Sequence, residues 1–149
     1  MDKVLLSSGK DDWETPLDFF KILNEEFHFT LDPCCNEENH KCINYYTLKD
    51  NGLIEDWKGE TVYCNPPYSK KTKTNPGQIA WIKKCYEEGE NTTVVMLLPA
   101  RTDTIAFHKY IYGKAEIRFL KGRLKFVGAK ATAPFPSMVV IFRPKIVVA

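Results

Sequence analysis

Residues Thr92 to Pro99 form a near-continuous apolar run, Val94-Val95-Met96-Leu97-Leu98 between two threonines and a proline. A strand of this composition has no face to give to water, so it belongs in a sheet covered on both sides, the arrangement of parallel α/β sheets. Whatever surrounds it must therefore supply crossover helices and further strands. Thr15-Pro16 followed by Leu17, Phe19, Phe20, Leu23 and Phe27 predicts an amphipathic helix with Thr15 as its N-cap. The alternation from Phe27 to Leu31 predicts a short strand that stops at Asp32-Pro33, because proline cannot donate to a ladder. A loop or short helix then runs to about Thr47, and Lys49 to Gly52 and Asp56 to Gly59 carry turn chemistry.

Thr61 to Cys64 reads as a brief buried strand, Ser69 to Gly77 as an exposed flexible loop, Gln78 to Glu88 as a helix through Ile79, Ile82 and Cys85, and Ile105 to Tyr112 as a second crossover helix. Three β-rich pieces close the chain: Glu116 to Leu120, Arg123 to Val127 and Ser137 to Phe142. Strands alternating with helices and ending in a hairpin-like pair predict an α/β fold, a mostly parallel sheet with an antiparallel C-terminal edge. At 149 residues the chain fits a single domain, residues 1–149, with 1–12 polar and aperiodic and expected to be disordered.

No apolar run approaches the roughly 20 residues that span a bilayer, and no apolar signal region precedes the helix, so a cytoplasmic protein is expected. Five cysteines, an odd number outside any small secreted scaffold, predict free thiols. Cys34, Cys35, His40 and Cys42 lack paired spacing, and no metal is expected there. The net charge of +2 is unevenly spread: residues 1–100 carry 11 basic and 17 acidic groups, net −6, whereas 101–149 carry 10 and 2, net +8. A cationic C-terminal third suits a polyanion, and reads equally as a solvated basic edge balancing an acidic one.

The string that carries chemistry is Asn65-Pro66-Pro67-Tyr68, set directly after the Thr61 to Cys64 strand. An amino group conjugated to a heterocycle is a poor nucleophile, so an enzyme must hold its N–H groups with acceptors while aiming the nitrogen at an electrophile. The Asn65 side-chain carbonyl and the Pro66 main-chain carbonyl offer two such acceptors. Two prolines fix φ and remove competing donors, and Tyr68 offers a face on which a base stacks. A loop at the carboxyl end of a strand also lies where open α/β sheets bind ligands.

The chain resembles the phage-type DNA N-6-adenine methyltransferases, Dam-like amino-methyltransferases, over nearly its whole length. The resemblance rests on Trp13-x-Thr15-Pro16, Leu31-Asp32-Pro33-Cys34, Asp50-x-Gly52-Leu53 with Asp56-Trp57, Asn65 to Ser69, Gly122 to Phe126 and Pro134 to Ser137, taken in their order. It implies a Rossmann-like sheet, S-adenosylmethionine as cofactor, and methylation of N6 of adenine in DNA by an enzyme of phage or prophage origin, with protection against host restriction as the attractive role. By motif matching, Asn65, Pro66, Pro67 and Tyr68 form the catalytic loop. Trp13, Thr15 and Pro16 lie near the methionine end of the cofactor, and Asp32 holds its ammonium while Pro33 and Cys34 shape the turn. Asp50 and Asp56 are alternative partners of the nucleoside, with Leu53 and Trp57 as apolar walls.

Many methyltransferases place a Gly-x-Gly turn where this sequence has Asp32-Pro33-Cys34-Cys35. DNA contacts are expected from Lys70, Lys71 and Lys73 behind the catalytic loop, and from Arg118, Lys121, Arg123, Lys125 and Lys130 in the basic tail, by a monomer or homodimer. Read as a strand, Gly122 to Phe126 places Arg123 and Lys125 on one face and Leu124 and Phe126 on the other. So short a chain leaves little room for a separate recognition domain, which assigns target choice to Lys70–Thr74 and to the loop between Val127 and Pro134. The competing readings are a methyltransferase of another planar nitrogen, on RNA guanine or protein glutamine, and a catalytically degenerate DNA-binding module.

Overall fold

The apolar run forms strand β4, Val94–Pro99, and every residue in it is buried. The computed structural model describes residues 13–145, so the expectation for 1–12 lies outside the described residues. Around β4 stand β1 (Leu31–Cys35), β2 (Asn44–Thr47), β3 (Val62–Cys64), β5 (Glu116–Phe119) and β6 (Ser137–Phe142), in the spatial order β2-β1-β3-β4-β6-β5. β2, β1, β3 and β4 run parallel, while β6 pairs antiparallel with both β4 and β5. The expected α/β sheet is present. Its antiparallel C-terminal edge is present too: β6 lies between β4 and the edge strand β5 and pairs antiparallel with both.

Alternation along β4 divides the core into two layers. Val94, Met96 and Leu98 pack with Trp81, Ile82 and Cys85 of helix α2 (Gly77–Glu88) and with Phe107, Tyr110 and Ile111. Val95 and Leu97 pack on the other face with Phe20 and Leu23 of helix α1 (Leu17–Phe27), and with Tyr63, Phe126 and Phe135. The crossover expected at Ile105 to Tyr112 is helical but ends as a π-helix, Phe107–Ile111, closed by the Tyr112 N–H on the Phe107 carbonyl at 2.8 Å.

Four local expectations are corrected. Pro16, not Thr15, stands at the N-cap of α1, its carbonyl accepting the Phe20 N–H at 3.0 Å. The Thr15 hydroxyl makes no cap bond because it is drawn into buried polar contacts described below. The first strand begins where it was expected to end: Phe27 closes α1, His28 takes a left-handed φ of 56°, and β1 runs on through Pro33. Proline is tolerated there because the β1–β2 register shifts between Asp32 and Cys35, where no ladder donor is required. Asn44–Thr47 is a strand, hidden from sequence reading by its half-exposed edge position. Arg123 to Val127 is not a strand; Gly122 and Gly128, at φ 75° and 80°, turn the chain at either end, and Phe126 plugs into an aromatic group instead of extending the sheet.

Ser69 to Gly77 is exposed but internally tied: Asn75 donates to Ser69 Oγ at 2.9 Å, accepts the Gly77 N–H at 2.8 Å, and its carbonyl takes the Thr72 N–H at 2.8 Å. The order of strands reverses between β1 and β3, whose registered pairing is Leu31 with Val62. Beyond that pair the two strands part at their carboxyl ends and open a crevice.

The crevice wall depends on one close approach. A Cβ on Gly52 would lie 2.1 Å from the Pro33 carbonyl oxygen, both atoms being backbone-fixed. Gly52→Ala is expected to lower the stability by about 1–3 kcal/mol in urea denaturation, the ordinary cost of an overpacked site.

Candidate active site

A cavity of about 750 Å³ occupies this crevice, within the usual range for small-ligand sites. Its wall brings together Trp13, Thr15, Asp32, Pro33, Cys34, Leu53, Asn65 and Pro67 from four separate stretches of sequence. Residues that sequence reading did not single out complete it, among them Glu14, Lys41, Leu48 and Asn51. Gly52 also lines it, and the Asp50-x-Gly52-Leu53 string was the available signal for that position.

Asn65 follows β3, and its side chain is oriented without ambiguity. Its Nδ2 donates to the Trp13 carbonyl, which can only accept, and to Thr15 Oγ1 at 3.1 Å. The Oδ1 is thereby turned the other way, where it accepts the Tyr68 hydroxyl at 2.7 Å and keeps a second lone pair. Thr15, itself buried, shares a 2.6 Å hydrogen bond with the Tyr63 hydroxyl, so the network continues into the core. Burial pushes the Tyr63 and Tyr68 hydroxyls above their ordinary pKa values, and both remain protonated donors.

Tyr68 is buried rather than presented openly. Its ring lies in an aromatic group with Phe126, Phe135 and Trp13, near-parallel to Trp13 with centroids 6.4 Å apart. Pro66 and Tyr68 stand behind the cavity wall rather than on it, as does Pro16 at the head of α1.

Asp32 is a buried carboxylate, 4% exposed, on the cavity wall. Its Oδ1 accepts the Cys34 N–H at 3.3 Å and its Oδ2 the Lys41 N–H at 3.0 Å. Desolvation outweighs these donors and raises its pKa to about 6. The Lys41 ammonium offsets this only in part, because its Nζ is held 3.0 Å from Glu14 Oε2 and also donates to the Asn39 carbonyl. A buried carboxylate whose donors, backbone N–H groups and the Cys35 thiol, do not offset its desolvation is a site for a cationic ligand group.

The two other aspartates close turns and do not line the cavity. Asp50 Oδ2 accepts the Thr47 N–H at 2.8 Å and the Thr47 hydroxyl at 3.1 Å, and Asp56 Oδ1 accepts the Lys58 N–H at 2.9 Å. Trp57 is fully buried beneath the wall, its indole N–H donating to the Gly52 carbonyl at 3.0 Å, so it supports the loop rather than facing a ligand. The cysteines form no disulfide, and burial raises the thiol pKa values of Cys35, Cys42 and Cys64, as expected of packing groups. Among the described residues no group of three or more His, Cys, Asp or Glu side chains is placed to share a metal ion.

Of the expected DNA-contacting residues, Lys70, Lys71, Lys73, Lys121, Arg123, Lys125 and Lys130 are exposed. Arg118 is engaged elsewhere, bidentate to Glu26 at 2.7 and 2.8 Å and bonded to Glu116 at 2.7 Å, beside Arg143 on the β5–β6 side of the sheet.

A mostly parallel sheet with a crevice at its switch point, and an oriented amide on an Asn-Pro-Pro-Tyr loop, define an α/β protein with a candidate ligand site. The sequence model described as "DNA N-6-adenine-methyltransferase (Dam)" matches residues 3–147. The DNA N-6-adenine-methyltransferase of Haemophilus phage HP1 (strain HP1c1) is 32% identical over 148 residues, covering 93% of this chain and 82% of the phage protein. The putative methyltransferase YfdM of Escherichia coli (strain K12) is 41% identical over 66 residues, 39% of this chain and 71% of that one. The crystal structure of Thermoplasma acidophilum 1320 aligns with 11% identity and a TM-score of 0.43 over 85% of each chain. The chain belongs to the DNA N-6-adenine-methyltransferase family, and its class of reaction is methylation of adenine in DNA. Among the described residues no helix is long and apolar enough to cross a membrane.

The Asn65 geometry makes a direct prediction. In Asn65→Asp an acceptor oxygen replaces the donor that faces the Trp13 carbonyl, so two acceptors oppose each other there. A loss of about 1–3 kcal/mol in denaturant unfolding is expected, beyond that of Asn65→Ala.

Proposed function

We propose that this cavity binds S-adenosylmethionine with its ammonium at Asp32 and its nucleoside toward Thr47, Leu48, Asn51 and Leu53, and that the target adenine meets Asn65. The observation that carries the reading is that one cavity wall holds both a buried, only partly neutralised carboxylate and an amide whose acceptor is fixed in direction. S-adenosylmethionine supplies an electrophilic methyl group on a cationic sulfur.

The protein's own part is to hold the nucleophile. Asn65 Oδ1 accepts one N6–H with the lone pair that Tyr68 leaves free, and the Pro66 carbonyl accepts the other. Held in this way, the nitrogen's lone pair is turned out of conjugation and aimed, a gain of orientation rather than of acid–base chemistry. Because Asn65 is already bonded to Trp13, Thr15 and Tyr68, its acceptor does not have to reorganise during transfer. Trp13, which lines the cavity, offers the face on which an extruded base stacks, while Tyr68, buried behind it, holds the Asn65 acceptor in place. Thr15, Pro16, Pro33 and Cys34 shape the methionine end, and Pro67 stiffens the loop. Trp57 acts through Gly52, and Asp50 and Asp56 through the turns they close.

The proposed DNA face consists of Lys70, Lys71 and Lys73 with Lys121, Arg123, Lys125 and Lys130, exposed cations on the two stretches that flank the aromatic group. Arg118 is left out of it, since two carboxylates already hold its guanidinium.

Two measurements test the reading. Purified protein with radiolabelled S-adenosylmethionine and unmethylated DNA should yield N6-methyladenine on nucleoside digestion, and Asn65→Ala should lower the rate about 100- to 1000-fold, the scale for losing one preorganised group. Label on RNA or protein instead would overturn the substrate assignment.

The second is pH dependence. Asp32 titrates at about 6 in the folded protein against an ordinary 3.8. The folded state therefore holds its proton more tightly, and the stability of the ligand-free protein should fall by about 3 kcal/mol in all as pH rises from about 3 to about 7, most of it between the two pKa values. Cofactor affinity should behave oppositely. It should be flat above pH 6 and fall about tenfold per unit below it, because the carboxyl must release a proton to hold the ammonium. Asp32→Asn should weaken binding and remove that pH dependence, which calorimetry in buffers of differing ionisation enthalpy would show.

A further inference from the structure

The chain has four arginines, all after residue 100. Two of them, Arg118 and Arg143, share Glu116 and Glu26 on the β5–β6 side of the sheet. Arg101 is different. It is exposed, two residues past the end of β4, and among the described residues no carboxylate pairs with it. Its guanidinium instead lies over the Phe135 ring, 5.7 Å from the centroid, and Phe135 in turn meets Trp13 edge-on at 5.1 Å and Tyr68 at 5.7 Å. The cation therefore stands on the outer side of the aromatic group that holds the tyrosine of the Asn65 loop.

The backbone that presents it is fixed. The Arg101 N–H donates to the Pro99 carbonyl at 2.8 Å, and the neighbouring Ala100 N–H to the Pro136 carbonyl at 2.9 Å, which ties the loop to the start of β6. Thr104 Oγ1 donates to the Arg101 carbonyl at 3.4 Å and accepts the Phe107 N–H at 3.1 Å, while His108 Nε2 donates to the Thr102 carbonyl at 2.8 Å. Stacking on Phe135 leaves the guanidinium's edge free to donate, and a planar fork of donors suits a phosphate better than a point charge does.

We propose that Arg101 grips a DNA phosphate beside the extruded adenine, and so is the cation that registers the backbone against the Asn65 loop. This rests on the reading of the Asn65 cavity as the adenine site. An extruded nucleotide carries its flanking phosphates to the rim of its pocket, where an unpaired, prepositioned arginine meets them. The lysines on flexible side chains around the site add charge without fixing that register.

The test is a salt titration of binding to a short fluorescent DNA duplex, with S-adenosylhomocysteine present, for wild type, Arg101→Ala, Arg101→Gln, Arg101→Lys and Arg143→Ala. Removing the partner of one phosphate should reduce the slope of log K against log salt concentration by about 0.9. Arg101→Ala and Arg101→Gln should show that reduction and lower kcat/KM for DNA at least tenfold, with cofactor affinity and target preference unchanged. Arg101→Lys should recover the slope, and Arg143→Ala, which removes the same charge from the β5–β6 side, should keep it. Arg101→Gln keeps a planar group over Phe135, so it separates charge from packing should the alanine variant lose stability. An unchanged slope in Arg101→Gln overturns the proposal, as does a changed target preference at constant slope, which would make Arg101 a base reader. If the wild type binds cofactor but no duplex, the adenine-site reading falls and the proposal with it.

Discussion

The hydrogen bond from Asn65 Nδ2 to the Trp13 carbonyl is the constraint on which the site depends. An asparagine amide offers a donor end and an acceptor end of nearly equal shape, and only its partners decide which end faces a ligand. Here a backbone carbonyl, unable to donate, takes the amino end. That choice fixes Oδ1 toward Tyr68 and the cavity, and it binds residues 13–15 to a loop far along the chain. Thr15 extends the link to Tyr63 in the core, the Glu14 carbonyl accepts the Val127 N–H at 3.0 Å, and the Glu14 side chain holds Lys41. Three residues thus join the Asn65 loop, the Asp32 end of the cavity and the chain that carries Phe126.

Lys41 shows how the two ends of the cavity are coupled. Its N–H supports Asp32 while its ammonium is turned away to Glu14, so Asp32 is oriented but only partly neutralised. Had the ammonium reached Asp32, the carboxylate would be stabilised in the ligand-free protein and would gain less from a cationic guest. Burial without a paired counter-charge costs stability in the empty site and returns it on binding, the pattern expected where function and stability oppose one another.

The parts of this structure legible in sequence are those set by composition and order. The apolar run at β4, the helix through Phe20 and Leu23, and the loop after β3 each follow from residue type alone, and their alternation implies the sheet. What is not legible depends on contacts between distant residues. Thr15 reads as a cap because threonine before proline and an apolar period usually is one; its actual partners, Tyr63 and Asn65, lie 48 and 50 residues away. Pro33 reads as a strand terminator because the register shift that accommodates it is a property of pairing with β2. The alternation of Arg123 to Val127 separates the faces correctly, since Phe126 is buried and Lys125 exposed, but two left-handed glycines send that alternation into the aromatic group instead of a sheet. Asp50 and Asp56 stand near residues that do line the cavity, and only geometry separates a turn former from a ligand-facing neighbour.

On the proposed reading, positioning DNA and holding the target adenine fall to the same segments of the fold. The connection from β5 to β6 carries Phe126 and Phe135 inward and exposed cations outward, and the loop after β4 carries Arg101 over Phe135. An aromatic group shared between Trp13, Tyr68, Phe126 and Phe135 then acts as the common floor of both tasks. Movement of any member to admit a base would be felt at Asn65 through Tyr68 and Trp13, and at Arg101 through Phe135. The packing of these four rings therefore links the Asn65 loop to the exposed edge where Arg101 stands.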